Sequence, residues 1–255
     1  MTSTTHFFGD TTVLTWRSLR HILRSPDTII TTAVTPVALM VLFVFVFGGA
    51  IDTGSMSYID YMLPGILLIT IASGIAYTAY RLFLDLQGGI FERFQSMPIA
   101  RSSSLWAHVL TSLVANLASI VIVVGVALLL GFRTGAGLVA WLEVVGILVL
   151  FTLALTWIAV IAGLSAKTVD GASAFSYPLI FLPFISSAFV PTDTMPAPVA
   201  WFAENQPVTP IVNTIRDLFS GQPVDSAIWV ALAWCVGILV VAYFAAMAIY
   251  RRKIS

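Results

Sequence analysis

Residues 81–104 read RLFLDLQGGIFERFQSMPIARSSS. The stretch holds Arg81, Asp85, Glu92, Arg93 and Arg101, two adjacent glycines and one proline, and it interrupts a run of apolar segments. Its surroundings decide what it is. Across 255 residues the chain is 59% hydrophobic and only 9% charged, against roughly 25% charged in an average soluble domain. The mean hydropathy is +0.98. A water-soluble chain of this length has no interior large enough for that much apolar surface. The class is therefore polytopic membrane protein, and 81–104 is a charged loop between spans. A formal net charge of zero lacks the basic footprint of nucleic-acid binding, so no nucleic-acid partner is expected.

Outward from the loop, residues 58–80 form one span, with Tyr58, Tyr61, Tyr77 and Tyr80 near its ends like an aromatic belt and Pro64-Gly65 as a candidate kink. Residues 29–51 form the span before it and carry no charge. About 23 residues at about 1.5 Å each cross a hydrocarbon core of about 30 Å. Pro36 inside that span is tolerated where neighbours satisfy the freed carbonyl. Beyond the loop, further spans are expected over 105–130, 138–164, 172–190 (with Pro178 and Pro183) and 227–250. The longest non-spanning stretch, 191–226, sets Ile211, Ile215, Leu218 and Phe219 at helical spacing. Short re-entrant helices dipping into the outer leaflet are expected there. The predicted fold is an all-α membrane protein, a single transmembrane domain over 1–255 with six transmembrane helices.

Residues 11–24 place Arg17, Arg20 and Arg24 on one helical face, with Trp16, Leu19 and Leu23 beside it. A basic stripe next to an apolar one, with Trp present, suits an amphipathic helix lying on anionic membrane lipid. The same pattern also suits a solvated cytoplasmic helix. The opening residues, MTSTTHFFGD, lack the basic start and apolar core of a cleaved signal peptide, so the apolar spans themselves are expected to direct insertion.

Orientation follows from the basic residues. One side collects Arg17, Arg20, Arg24, Arg81, Arg93, Arg101, Lys167, Arg251, Arg252 and Lys253, and the other only Arg133 and Arg216. Basic residues favour the cytoplasm, so both termini and the 81–104 loop are predicted to be cytoplasmic. The outer side instead carries Asp52, Asp193, Glu204, Asp217 and Asp225.

Little in the chain points to chemistry of its own. There is no phosphate-binding loop of the G-x-x-x-x-G-K-[ST] form and no H-E-x-x-H. The three histidines, His6, His21 and His108, are far apart, and the single Cys235 lies in an apolar run. No metal site, no cofactor and no catalytic residue are expected in this chain. Ser165 and Lys167 stand two apart, on different sides of a helix. Asp60 and Glu143 lie within about a turn and a half of the outer ends of their spans and are expected to reach interfacial water. A proton-coupled transporter needs an ionisable group near the midplane, and none is apparent. Coupling through sodium and backbone carbonyls leaves little trace, so an ion-coupled secondary transporter acting alone stays open.

A membrane domain without an energy source points to an imported one. In the loop, Phe83, Leu86 and Ile90 fall at helical spacing, Gly88-Gly89 permits a sharp turn, and Phe91-Glu92-Arg93-Phe94 presents two aromatics with opposite charges. Aromatics with a charged rim suit a protein–protein contact, although ordinary interfacial loops share the pattern.

The run Asp85-x-x-x-Gly89-x-x-Glu92-Arg93-Phe94-x-Ser96-Met97-Pro98-Ile99-x-Arg101 resembles the cytoplasmic signature of type-2 (ABC-2) ABC exporter permeases, especially the daunorubicin-resistance branch. A second stretch resembles that family's segment between spans five and six: Ser186 to Asp193, Met195-Pro196, Trp201 to Pro210, and Arg216. The resemblance implies a permease homodimer that pairs with two copies of a separate ATP-binding cassette subunit, on which ATP and Mg would bind. Asp85, Gly89, Phe91, Glu92, Arg93, Phe94, Met97, Pro98 and Arg101 would then form the coupling helix seated on that ATPase. It implies a bacterial inner-membrane location and a substrate path at the dimer interface, lined by spans two and five. Leu67, Ile71, Ile75, Phe181 and Phe184 are candidate lining residues there. All five are apolar, which favours an amphiphilic or drug-like cargo, with lipid or a lipid-linked glycan as the alternative; packing or lipid contact would use the same residues.

Overall fold

The computed structural model describes residues 26–51, 53–54, 56–88, 103–224 and 226–254. The described residues are helical and contain no strand. Helix α1 (Pro26–Leu42) contains Pro36 and continues as a π-helical turn over Phe43–Phe47. Helix α2 (Tyr58–Gln87) begins at Ser57, whose hydroxyl accepts the Asp60 N–H at 3.3 Å. Asp60 also puts a carboxylate where the helix dipole is positive. Helices α3 (Ser103–Leu129) and α4 (Leu138–Ser165) follow. Two short helices, α5 (Val169–Ala174) and α6 (Ser176–Phe181), then run into a 3-10 turn, Leu182–Ile185. The chain ends with α7 (Ala197–Glu204), α8 (Val208–Ser220) and α9 (Ala227–Ile254).

Four helices are long and apolar enough to cross a membrane by length and composition: α2, α3, α4 and α9. The apolar stretches in α1 and in the α5–α6 region, Ala33–Phe47 and Val169–Ile185, are shorter. Phe45, Val121, Leu129, Leu138, Trp229, Val241 and Phe244 are each at least 66% exposed. Apolar surface on that scale belongs against lipid or another protein. This is a membrane protein with several apolar helices.

The long helices divide the labour. In α2, 78% of the most apolar window is buried, against 17% in α9. Helix α2 is therefore the post around which the others stand, and α9 leaves most of its apolar surface open to lipid or another protein. Close approach to the post depends on missing side chains, because without a hydrophobic drive between helices in lipid, association depends on tight packing. A methyl group on Gly163 of α4 would sit 2.8 Å from the Ala79 carbonyl oxygen of α2. At Gly74 the same methyl would overlap the Asn116 carboxamide of α3. Trp157 is boxed edge-on by Trp106 and Tyr243 at 5.3 and 4.8 Å, knitting α3, α4 and α9 together.

Several boundaries differ from the sequence reading. The span read as 58–80 continues as helix through Gln87, so the first residues of the 81–104 loop extend α2. Nothing before Gly88 breaks the helix, and Leu82 and Phe83 are buried against neighbours. The span read as 172–190 begins at Val169 and is broken at Phe175 and again where Pro183 opens the 3-10 turn. Tyr58 and Tyr61 do not form a lipid-facing belt. Both are buried in protein, and the Tyr58 hydroxyl donates to the Phe189 carbonyl at 3.3 Å. Helical structure in 191–226 is present as expected, and Ile211, Ile215, Leu218 and Phe219 all face inward.

Candidate functional site

Polar groups gather at three levels along α2. At its Tyr58 end α8 packs against α2, α4 and α9, and Arg216 points from α8 into the seam. Its exposure is 8%. Nε donates to the Tyr61 carbonyl at 3.0 Å, Nη1 to Asn213 Oδ1 at 2.8 Å and Nη2 to the Ser187 carbonyl at 2.7 Å. The guanidinium carbon lies 3.8 Å from the centroid of the Tyr61 ring. The Ser187 hydroxyl donates to the same Asn213 oxygen at 2.7 Å. Three carbonyl-type acceptors and one aromatic face thus receive a cation that burial makes costly. Gly221 closes α8 in the left-handed region, with φ 68°, a conformation glycine adopts without a side-chain clash. The Phe219 carbonyl there accepts the Gly135 N–H and the Thr134 hydroxyl, both at 2.9 Å.

Asp60 belongs to the same end of α2. Its carboxylate accepts the Arg133 backbone N–H at 3.1 Å, so it holds the α3–α4 turn as well as meeting solvent. Midway along α2 the Thr78 hydroxyl donates to Ser112 Oγ at 2.8 Å, and Ser112 lies 3.3 Å from the Thr156 hydroxyl. Asn116 Nδ2 donates to the Ser112 carbonyl at 2.9 Å. These bonds tie α2, α3 and α4. Asn116 Oδ1 has no hydrogen-bond partner among the described residues and rests against Gly74. At the Gln87 end of α2 Asp85 Oδ2 lies 3.0 Å from His108 Nε2 of α3.

Of the predicted coupling residues, Asp85 is the one the structure describes. Gly89, Phe91, Glu92, Arg93, Phe94, Met97, Pro98 and Arg101 lie outside the described residues, as do Trp16, Arg17, Arg20 and Arg24. Leu67, Ile71 and Ile75 are sealed inside the protomer at zero exposure, because they sit on the central post. Phe181 is different: 60% exposed, its ring lies 6.2 Å from that of half-buried Phe184. Phe184 in turn stacks on Phe189 at 5.0 Å. Tyr177 and Ile185, close to Phe181 in the chain, are exposed as well, whereas Leu67, Ile71 and Ile75 reach no surface of the protomer.

Residues 10–220 match the family model described as ABC-2 type transporter. The chain belongs to the ABC-2 type transporter family. It is 28% identical over 245 residues to a daunorubicin resistance ABC transporter permease protein, DrrB1, of Streptomyces coeruleorubidus, covering 93% of this chain and 84% of the relative. It is also 28% identical over 254 residues to a probable doxorubicin resistance ABC transporter permease protein, DrrC, of Mycobacterium tuberculosis, covering 96% and 90%. Family membership makes this ABC-2 chain a transmembrane subunit of an ABC exporter.

Sequence reasoning passed over two features of the ABC-2 bundle. The Thr78–Ser112–Thr156 contact joins residues on three helices that no local spacing connects. Arg216 counted only as an outer-side charge and a motif position. The signal for it was present: a lone arginine among Ile211, Ile215, Leu218 and Phe219 needs acceptors, and only neighbouring elements can supply enough of them.

Proposed function

We propose that this ABC-2 permease forms a homodimer in a bacterial inner membrane and exports hydrophobic or amphiphilic small molecules, driven by ATP hydrolysed with Mg on two copies of a separate ATP-binding cassette subunit. The observation that carries the reading is the family match over 10–220, which spans the loop motif and all but the last few residues of the second motif's segment. The relatives' names supply the cargo class. Six crossings with both termini in the cytoplasm are part of the proposal. Helix α1 with its π turn covers Pro26–Leu42 and Phe43–Phe47, which at about 1.5 Å per residue is long enough for a hydrocarbon core of about 30 Å. The α5–α6 region would be the broken fifth crossing, and the 11–24 stretch an interfacial helix on membrane lipid.

Coupling would run through Glu92 and Arg93, with the adjacent loop motif, into the partner ATPase. The exposed face at Tyr177, Phe181 and Ile185, backed by Phe184, would line the path at the dimer seam. Leu67, Ile71 and Ile75 would form the wall behind it. The test is co-reconstitution of the permease with its ATPase subunit in proteoliposomes, read by ATPase rate and by doxorubicin movement. Exchanging the charges in Glu92→Arg/Arg93→Glu is expected to abolish both partner-stimulated ATPase and export at unchanged membrane insertion. Full export by that double variant, or gradient-driven uptake by the permease alone, defeats the proposal. Movement of a fluorescent lipid in place of doxorubicin changes the cargo and leaves the architecture.

A further inference from the structure

Arg216 is a costly residue where it stands. It is buried between α8, the first turn of α2 and Ser187, and the other buried polar side chains among the described residues are hydroxyls and amides. If α8 needed only to be packed, an aliphatic side chain would fill the seam without desolvating a charge. What arginine adds is five N–H donors on three nitrogens held in a fixed planar fork. Here they reach three places at once: the Tyr61 carbonyl at the start of α2, Asn213 one turn back on α8, and the Ser187 carbonyl just after the 3-10 turn. A lysine can point at one or two of these, but cannot hold all three in register.

Helix α2 is unbroken from Tyr58 to Gln87, about 45 Å at about 1.5 Å per residue. Its inner end runs directly into the loop read as the coupling element. Its outer end is the end that Arg216 grips. A second tether runs the same way, because Asp60 of α2 holds the Arg133 N–H while Phe219 of α8 holds Thr134 and Gly135 of that same turn.

We propose that Arg216 is a positioning residue for transport, a three-way tie that makes the re-entrant helix α8 move as one body with α2, so that displacement at the cytoplasmic end of α2 reaches the outer cap of the protomer. The inference rests on the exporter reading and adds to it the identity of the joint. Transmission along α2 requires that α8 not slip on it; apolar contact alone permits sliding, whereas directed bonds to two backbone carbonyls do not.

The experiment places spin labels at Gln87→Cys and Gln222→Cys, both exposed, in a Cys235→Ala background. Labelled protomers are diluted with unlabelled ones so that the intra-protomer distance is read. Distances are measured with the partner ATPase bound, nucleotide-free and after vanadate trapping with ATP. With Arg216 in place, one narrow distance is expected, unchanged between the two states. Arg216→Met is expected to broaden the distribution in both states and to shift it by several ångströms on trapping. Arg216→Lys should recover part of the narrowing, because it keeps the charge over Tyr61 and can reach one carbonyl. A distance that shifts on trapping with Arg216 present overturns the proposal, and so does an Arg216→Met distribution matching the parent. Should Arg216→Met fail to fold, Asn213→Ala, which removes one acceptor, is judged by the same criteria. Partner-stimulated ATPase of the parent protein is the separate control: its absence removes the exporter reading, while the nucleotide-free comparison still judges the tie.

Discussion

The two ends of α2, inner (Gln87) and outer (Tyr58) in the proposed orientation, are held by different physics. At the inner end Asp85 meets His108 at 3.0 Å, with side chains 30% and 13% exposed. Water reaches that pair, so its attraction is screened and its partners keep an alternative in solvent. At the outer end Arg216 is 8% exposed and bonded at three points to oxygens that carry no formal charge. Losing it leaves the Tyr61 and Ser187 carbonyls and the Asn213 amide oxygen without that donor. A single helix thus has one end that can let go and one that cannot, and the loose end adjoins the loop through which force is read to enter. Between them the contact is steric, with glycines admitting neighbours to van der Waals range and a small hydroxyl cluster fixing the register.

Substitutions along α2 should therefore rank by burial and directedness, not by formal charge. Arg216→Ala is expected to be the most damaging, destabilising by about 3 kcal/mol in denaturation by titrated detergent, because partners of a buried charge are left unsatisfied. An effect as small as that of an inner-end charge would erase the contrast. Gly163→Val should follow at about 2 kcal/mol by the same assay, since the added atoms collide with the Ala79 carbonyl and overpacking carries that order of cost. It also shows that the inner half depends on fit. Ser112→Ala should cost only about 0.6 kcal/mol, the typical worth of a hydrogen bond between membrane helices. His108→Gln should register last, at about 0.3 kcal/mol, with any difference shrinking further at high salt. A His108 effect above that of Ser112 would mean that the inner end is drier than its exposure implies.

Much of the architecture could be read locally. Apolar runs placed α3, α4 and α9 to within a few residues, because a span is defined by its own composition and needs no partner to declare itself. The 211–219 periodicity likewise marked α8. The reading failed where neighbours set the outcome. Tyr58 and Tyr61 look like belt residues in isolation and became buried because α8 and the 186–190 segment close over them. Leu67, Ile71 and Ile75 read as pathway because any apolar residue on a span can line, pack or face lipid. In the protomer all three sit at zero exposure on the central helix, which narrows their part to a wall behind any surface that meets cargo. Asp60 read as solvent-seeking and is also engaged by a backbone N–H from a turn far away in sequence.

By itself the sequence determined that this is a helical membrane protein of the ABC-2 kind, because hydropathy and two motifs are properties of contiguous residues. Only the tertiary structure decided which helix is the central post, which glycines must stay bare and what Arg216 holds. Those depend on distances between atoms that the chain brings together from far apart, and no local pattern encodes them.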